Sequence, residues 1–346
     1  MLLFSKRKKA LKKKILNTLK YLLFFLAGVA LFLWVYKDVN LKDLRSELGR
    51  LNYWWLALSF FLGLFSHISR AYRWNMLIEP LGYKPRPLNS FLAVMTMYFV
   101  NLLVPRAGEV FRCTVLSKYE QIPLTSLVGT VFTERVTDLI TLALVATVIL
   151  LSQVGVFETF LANNPGVSEK IGQMTSNPYV YLFVGLCIAA IAAFFLFRNS
   201  FRKFRFAGKI YRLLHSFAEG IKTIIHLKSI WAYIGHTAFI YLMWLVMLYV
   251  VFFSYPPTSH LTLGTGMVAF VMGGLAMIAP VQGGIGAWHF MVYQTLFIYG
   301  IPMESAKIFA LIAWTTTNLA LTLVGLIALL LLPVVNKDRS KSKIVL

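Results

Sequence analysis

Six apolar runs in this chain approach or exceed the roughly 18 residues needed to cross a hydrocarbon core about 30 Å thick, and they constrain the fold more than any other feature. They cover Tyr21 to Tyr36, Tyr53 to Ser69, Pro123 to Gln153, Tyr179 to Phe197, Trp231 to Phe253 and Ile308 to Leu332. Backbone N–H and C=O groups find no water at that depth, so each run must satisfy them internally as a helix. With 58% hydrophobic and 14% charged residues, no polar shell exists for a soluble globule. The chain therefore reads as an all-α polytopic membrane protein. Two further stretches, Leu88 to Val104 continuing to Tyr119, and Leu261 to Gly300, are apolar but interrupted by Pro and Gly. Each is read as a pair of short helices, re-entrant or fully spanning. The breaks fall at Pro105 and Gly108 in the first and at Pro280 in the second, because proline lacks the N–H that a continuing helix needs.

The formal net charge of +21 is distributed as membrane topology requires, and nucleic acid is not an expected partner. Basic residues crowd positions 1–18, the segment Arg70 to Arg86, the segment Arg198 to Lys228 and the tail 333–346. The stretch "VGVFETFLANNPGVSEKIGQMTSNP" holds only Lys170, and "SYPPTSHL" has no Lys or Arg. Both ends are therefore expected in the cytoplasm. The loop holding Lys42, Arg45 and Arg50 should lie outside, where Asp38, Asp43 and Glu47 offset it. No A-x-A cleavage site follows the first span, which reads as a retained anchor. Segment 201–228 places Phe206, Ile210, Leu213, Leu214 and Phe217 at helical spacing, so it should lie on the inner membrane surface, drawn to anionic lipid. Arg70, Arg73 and Trp74, in "SHISRAYRWNML", end the second span and read as interfacial, where snorkelling explains the arginines as well as a binding role does. Cys113 and Cys187 are far apart in apolar surroundings, which argues for packing and against a disulfide or zinc site. No metal or cofactor is expected.

The two broken regions share an order: an apolar stretch, Pro-x-x-Gly, a short helical segment, Ile-Pro, then a long apolar helix. The first copy, about 88–153, holds "LLVPRAGEVF" and "QIPLTSL"; the second, about 261–332, holds "MIAPVQGGIGAWHF" and "GIPMESA". Three crossings separate them, so the copies enter from opposite sides and form an inverted-topology repeat. Transporters recurrently use that plan, with broken helix ends presenting unpaired backbone groups to a cavity near the midplane.

Charged residues in these segments carry the chemistry. The helix after the Pro105 break can present free N–H groups to an anion, and Arg106 and Arg112 add fixed positive charge suited to forked bonding of a phosphate. Glu109, three residues from each, is placed to pair with either. In "FTERVTDLI", Glu134 lies about 16 Å along its helix from Pro123, deep in the bilayer. Glu134 and Asp138 share a face, and Arg135 reaches Asp138, which leaves one carboxylate over. Each such charge costs about 2.5 to 3.5 kcal/mol at the bilayer centre, so this face should line a polar cavity or meet the arginines of the broken helix. In the second copy Gly283, Gly284 and Gly286 can form a nest of N–H groups, with Gln282 and His289 nearby. His289 reads as a hydrogen-bonded interior residue and Asn318 as interhelical glue.

The motifs "NLLVPRAGEVFR", "TERVTDL" and "PVQGGIGAWHF" resemble the flippase-like transmembrane region of bacterial lysylphosphatidylglycerol synthases and their stand-alone relatives, over roughly Leu19 to Leu332. The resemblance implies a single transmembrane domain, 19–332, in the bacterial inner membrane, which moves or helps to move a lipid between leaflets. Arg106, Glu109, Arg112, Glu134, Arg135 and Asp138 match the family's charged positions. The synthases continue into a soluble domain that transfers an amino acid from tRNA. Here 14 residues follow Leu332, so lysyl transfer is not expected.

The leading expectation is a translocator, not an enzyme, for an anionic or aminoacylated phospholipid or a polyprenyl-linked lipid. An intramembrane lipid-modifying enzyme using Glu109 or Asp138 as base, and a scaffold for a separate enzyme, are the alternatives. No Walker A, H-E-x-x-H or G-x-S-x-G motif is present. Expected partners are membrane lipids with an anionic headgroup. A second copy of the chain and a separate lipid-modifying enzyme are further candidates.

Overall fold

The computed structural model describes residues 28–37, 41–104, 107–155, 227–278 and 281–337, with the isolated positions 26, 169, 172, 173, 176–179, 181, 182 and 224. Every regular element among them is helical. Residues 28–36 form α1, followed by α2 (Leu41–Gly49), α3 (Tyr53–Ile78), α4 (Pro87–Leu103), α5 (Ala107–Glu120) and α6 (Leu124–Ser152). The second half holds α7 (Ile230–Phe252), α8 (Leu263–Ala276), α9 (Ala287–Ile298) and α10 (Met303–Val335).

Local chemistry sets the ends of these helices. Asn52 caps α3 by accepting the Trp54 N–H at 3.1 Å. Pro87 opens α4, where its missing N–H is no loss, and α4 ends at Leu103, two residues before Pro105. Helix α5 carries Glu109 in its first turn and Lys118 in its last, the signs that suit the helix dipole.

Helices α7 and α10 are long and apolar enough to cross a bilayer. Helices α3 and α6 run to 26 and 29 residues and carry the buried charges described below. The expected spans Pro123 to Gln153 and Trp231 to Phe253 coincide with α6 and α7 to within a residue. Helix α10 is longer than the run Ile308 to Leu332, beginning at Met303 and continuing past Pro333. Helix α3 departs most: it runs to Ile78, nine residues beyond Ser69, so Arg70 and Arg73 lie inside it. Both interrupted stretches are pairs of short helices, α4 with α5 and α8 with α9. Pro105, Arg106, Pro280, nearly all of Tyr179 to Phe197 and nearly all of 201–228 lie outside the described residues.

Long, short, short, long is thus the helix order in α3 to α6 and again in α7 to α10. The two quartets interlock reciprocally. Helices α3 and α7 pack antiparallel, bonding Ser59 to Met247, Ser66 to Trp244 and Ser69 to His236. Helix α4 lies along α10: a methyl at Gly325 would sit 2.7 Å from the Met95 carbonyl oxygen. Helix α8 lies along α6, where Val271 packs with Ala146 and Ile149. Each quartet therefore lends its first short helix to the long last helix of the other.

A buried amide pair pins one end of this arrangement. Asn89 on α4 and Asn336 after α10 exchange two hydrogen bonds of 2.9 Å, and Asn89 also donates to Glu120 at the end of α5. Asn336→Leu is expected to destabilise the protein by about 1 to 3 kcal/mol, the cost of an amide left short of partners in a dry site. The thermal midpoint in detergent micelles checks this; an unchanged midpoint contradicts it.

Candidate functional site

Three arginines converge on one carboxylate between α3, α5 and α6. Glu134 and Asp138 project from one face of α6, as their spacing of four requires. Arg70 of α3 donates from Nε to Glu134 Oε1 at 2.7 Å, from Nη1 to the Tyr98 hydroxyl at 2.7 Å and from Nη2 to Asp138 Oδ2 at 3.2 Å. Arg73, one turn on, reaches Asp138 Oδ1 at 2.6 Å, Glu134 at 3.5 Å and Thr237 of α7 at 3.3 Å. Arg112 of α5 donates from Nη2 to Glu134 Oε2 at 2.7 Å. The side chains of Arg73, Arg112 and Glu134 are 0% exposed, with Arg70 at 3% and Asp138 at 14%.

Positive charge and hydrogen-bond donors are both in excess. Three buried guanidinium groups face two carboxylates, so one positive charge has no anionic counterpart among the described residues. At the rim, Arg135 bridges Asp138 at 3.2 Å and Glu109 at 3.6 Å. Arg112 uses one donor nitrogen, while its Nε and Nη1 are buried without a partner among the described residues, as is Arg73 Nε. The Trp74 ring lies 4.5 Å from the Arg112 guanidinium carbon and supplies cation–π attraction, and its indole N–H donates to Thr130. Uncompensated buried charge is expensive unless it is paired or hydrogen-bonded. No group of His, Cys, Asp and Glu among the described residues is arranged to hold a metal.

The family model described as the lysylphosphatidylglycerol synthase TM region matches residues 18–325. The chain belongs to this family. A UPF0104 membrane protein of Methanocaldococcus jannaschii is 32% identical over 125 residues, 35% of this chain and 36% of that protein. The match thus spans about a third of that relative's length.

Within this member of the lysylphosphatidylglycerol synthase TM region family, the structure gathers some expected site residues and separates others. Glu134 does meet an arginine of the broken helix, Arg112, whereas Asp138 pairs with Arg70 and Arg73 of α3 and with Arg135. Glu109 pairs with Arg135 of α6 and not with Arg112 of its own helix, because tertiary packing turns Arg112 toward Glu134. Arg70 and Arg73 do not snorkel: they are the main partners of the acids, and Trp74, read as interfacial, is wholly buried. The missed signal was the face formed by Arg70, Arg73, Trp74, Leu77 and Ile78, with no breaker before Pro80.

No hydrogen bond or ion pair among the described residues joins the glycine-rich break to the charge cluster. Gly283, Gly284 and Gly286 have φ of 53°, 72° and 78°, a run that favours glycine and folds the chain sharply before α9. Its amides are not an open nest: the Gly284 N–H faces the Val281 carbonyl at 3.4 Å and the Gly286 N–H donates to His289 Nδ1 at 3.3 Å. His289 is buried and ringed by Phe32, Tyr36, Trp288 and Trp314. Gln282 belongs to the same turn. Asn318 Nδ2 donates to Trp314 of its own helix at 2.9 Å, so that bond is not the interhelical one expected. Trp314 instead joins α10 to the break, donating to the Gly283 carbonyl at 2.7 Å. Cys113 is a buried packing residue, as expected.

Proposed function

We propose that this protein translocates a lipid between leaflets, with the α3–α5–α6 cluster receiving an anionic headgroup. The carrying observation is the excess buried guanidinium, with two unused donor nitrogens on Arg112. In this reading Glu134 occupies the seat when no headgroup is present, and an arriving phosphate shares its arginines. Arg112 is the first to hand over, because a single hydrogen bond ties it to the acid. The family assignment supports a membrane-associated, lipid-related role. The substrate class is an anionic or aminoacylated phospholipid or a polyprenyl-linked lipid. Movement is passive, or driven by proton or potential through Glu134 or Asp138.

The two quartets are read as inverted copies. Equivalent helices α3 and α7 run antiparallel, and the α4–α10 contact has its counterpart in α8–α6. Rocking one quartet against the other would expose the cluster to each leaflet in turn. Both chain ends are placed in the cytoplasm on the distribution of Lys and Arg, and the cell membrane is the proposed location.

The test uses purified protein in vesicles, fluorescent lipids of differing headgroup and a leaflet-accessibility readout. Anionic lipids are expected to cross faster than zwitterionic ones. Arg112→Gln and Asp138→Asn should each slow transfer by about tenfold or more, the factor that ~1.4 kcal/mol represents. Absence of transfer for every anionic and aminoacylated lipid, with and without a proton gradient, would refute the reading.

A further inference from the structure

One face of α6 is polar well beyond its two acids. In "TVFTERVTDLIT", Thr130, Thr133, Glu134, Thr137, Asp138 and Thr141 recur at the spacing of three and four that puts them on one side of a helix. From Thr130 to Thr141 this stripe rises about 16 Å, roughly half of a hydrocarbon core. Thr130, Thr133, Glu134 and Thr137 are buried, so the stripe faces protein and not lipid. The charge cluster accounts for Glu134 and Asp138 but not for the threonines beside them.

Helix α7 answers with a stripe of its own. It carries no Asp, Glu, Lys or Arg, yet Tyr233, Thr237 and Tyr241 stand four apart on it and are buried. The Tyr233 hydroxyl and Thr137 Oγ1 lie 2.7 Å apart in a hydrogen bond, and the Tyr241 hydroxyl donates to the Asp138 carbonyl at 2.7 Å. Thr237 accepts from Arg73 at 3.3 Å. The seam between α6 and α7 is thus a line of hydroxyls, and no buried apolar cluster among the described residues joins these two helices.

The same helix meets α3 differently. Ser59, Ser66 and Ser69 bond Met247, Trp244 and His236 along the contact. Gly63 brings the helices close, with the Met247 sulfur 3.7 Å from where a methyl would stand. Small residues in such a row let membrane helices approach and stay together. The hydroxyl seam is held more lightly, because a neutral hydrogen bond has a small net worth and its groups bond other oxygens once parted. The charge-assisted bonds within the cluster are roughly twice as strong.

We infer that a phosphate-bearing headgroup travels along this seam. Helix α7 pivots on α3 and parts from α6, and the hydroxyls of Thr137, Thr141, Tyr233, Thr237 and Tyr241 bond the phosphate oxygens as the headgroup leaves the arginines. These hydroxyls stand in for water through the depth that the stripe covers. The inference rests on the headgroup reading of the charge cluster and adds the path by which the headgroup moves away from it.

Full-length protein in vesicles of phosphatidylglycerol and phosphatidylcholine, with a fluorescent tracer of either lipid, tests it. In a background carrying Cys113→Ser and Cys187→Ser, Thr137→Cys with Tyr233→Cys allows α6 to be linked to α7 by a short thiol cross-linker that dithiothreitol cleaves. Ser59→Cys with Met247→Cys allows the same link between α3 and α7. Linking α6 to α7 is expected to reduce phosphatidylglycerol transfer to the protein-free background, with recovery after dithiothreitol, whereas linking α3 to α7 leaves most of it. Undiminished transfer with α6 linked to α7 overturns the inference, and so does an equal loss from both links. A second readout needs no link. Thr137 and Ala146 are each 9% exposed on α6, but Ala146 packs against Val271 of α8. Thr137→Cys should react with a membrane-impermeant thiol reagent severalfold faster than Ala146→Cys. Equal rates overturn the inference, and this comparison carries the test if the paired variants do not fold, with thermal midpoints as the check. The two tracers separate the claims. Transfer that ignores the headgroup but stops when α6 is linked to α7 defeats the cluster reading alone. Headgroup-selective transfer that persists through that link defeats this inference alone.

Discussion

Glu134→Gln is expected to destabilise the folded protein by about 3 to 5 kcal/mol, the penalty for removing one partner of a buried ion pair. Glu134 is the point at which Arg70, Arg73 and Arg112 converge, and all four side chains are at least 97% buried. The substitution keeps the shape and deletes the charge, so three guanidinium groups would share Asp138 alone. Arg112, already short of partners, would lose its only anion. Stability of domains is typically about 5 to 15 kcal/mol, so much of the molecule's margin is at stake. Adding Arg112→Gln should restore part of the loss, because the excess positive charge is then lower by one; a double-mutant cycle measures that coupling. Glu304→Gln, at an exposed position in the first turn of α10, is the control and should stay within about 0.5 kcal/mol of the parent. Thermal or denaturant unfolding in detergent reads all five proteins: the parent, the two single variants of the cycle, the double variant and the control. A Glu134→Gln variant as stable as the Glu304→Gln control would show that the cluster is not held by its charges.

Much of the helical layout was legible because it follows from rules local to the chain. Apolar runs bounded by Pro123 and by the polar stretch before Trp231 gave α6 and α7 almost to the residue. Pro105 and the glycines after Pro280 marked where two helices had to be interrupted, whereas Gly108, read as part of the first break, lies in the first turn of α5, where its missing side chain lets the Met97 carbonyl approach. The need for arginines beside Glu134 and Asp138 was legible too, since acids at that depth must be compensated. Which arginines answer it was not. Arg70 and Arg73 sit where hydropathy falls, and a snorkelling arginine and one buried against a neighbouring helix look alike along a single chain. Only the packing of α3 against α6 distinguishes them. Glu109 shows the same limit: its helical spacing allows Arg106 or Arg112, yet the neighbouring helix offers Arg112 a deeper carboxylate and pairs Glu109 with Arg135. The glycine nest failed for a more local reason, as His289 takes the Gly286 amide that a ligand would have needed.

Gly108→Ala and Gly129→Ala should have effects of opposite sign. Both glycines lie in helices, where alanine is intrinsically better by about 1 kcal/mol. At Gly129 nothing lies within 4 Å of an added methyl, so the variant should be as stable as the parent or more so, and should transfer lipid normally. At Gly108 the methyl would press on the Met97 carbonyl oxygen and come within 2.7 Å of Asn101 Oδ1, the atom that accepts the Gly108 N–H. Relief requires α5 to back away from α4, at an overpacking cost of about 1 to 3 kcal/mol. Arg112 lies four residues further on the same face of α5, so the displacement reaches it directly. Its single hydrogen bond to Glu134 has no second bond to preserve the geometry. Gly108→Ala should therefore slow headgroup-selective transfer by about tenfold or more even where the variant still folds, an effect worth ~1.4 kcal/mol at the cluster. Thermal midpoints and the vesicle assay, run on both variants, separate loss of packing from loss of the anion site. Normal transfer in a folded Gly108→Ala protein would mean that the seat does not depend on where α5 holds Arg112.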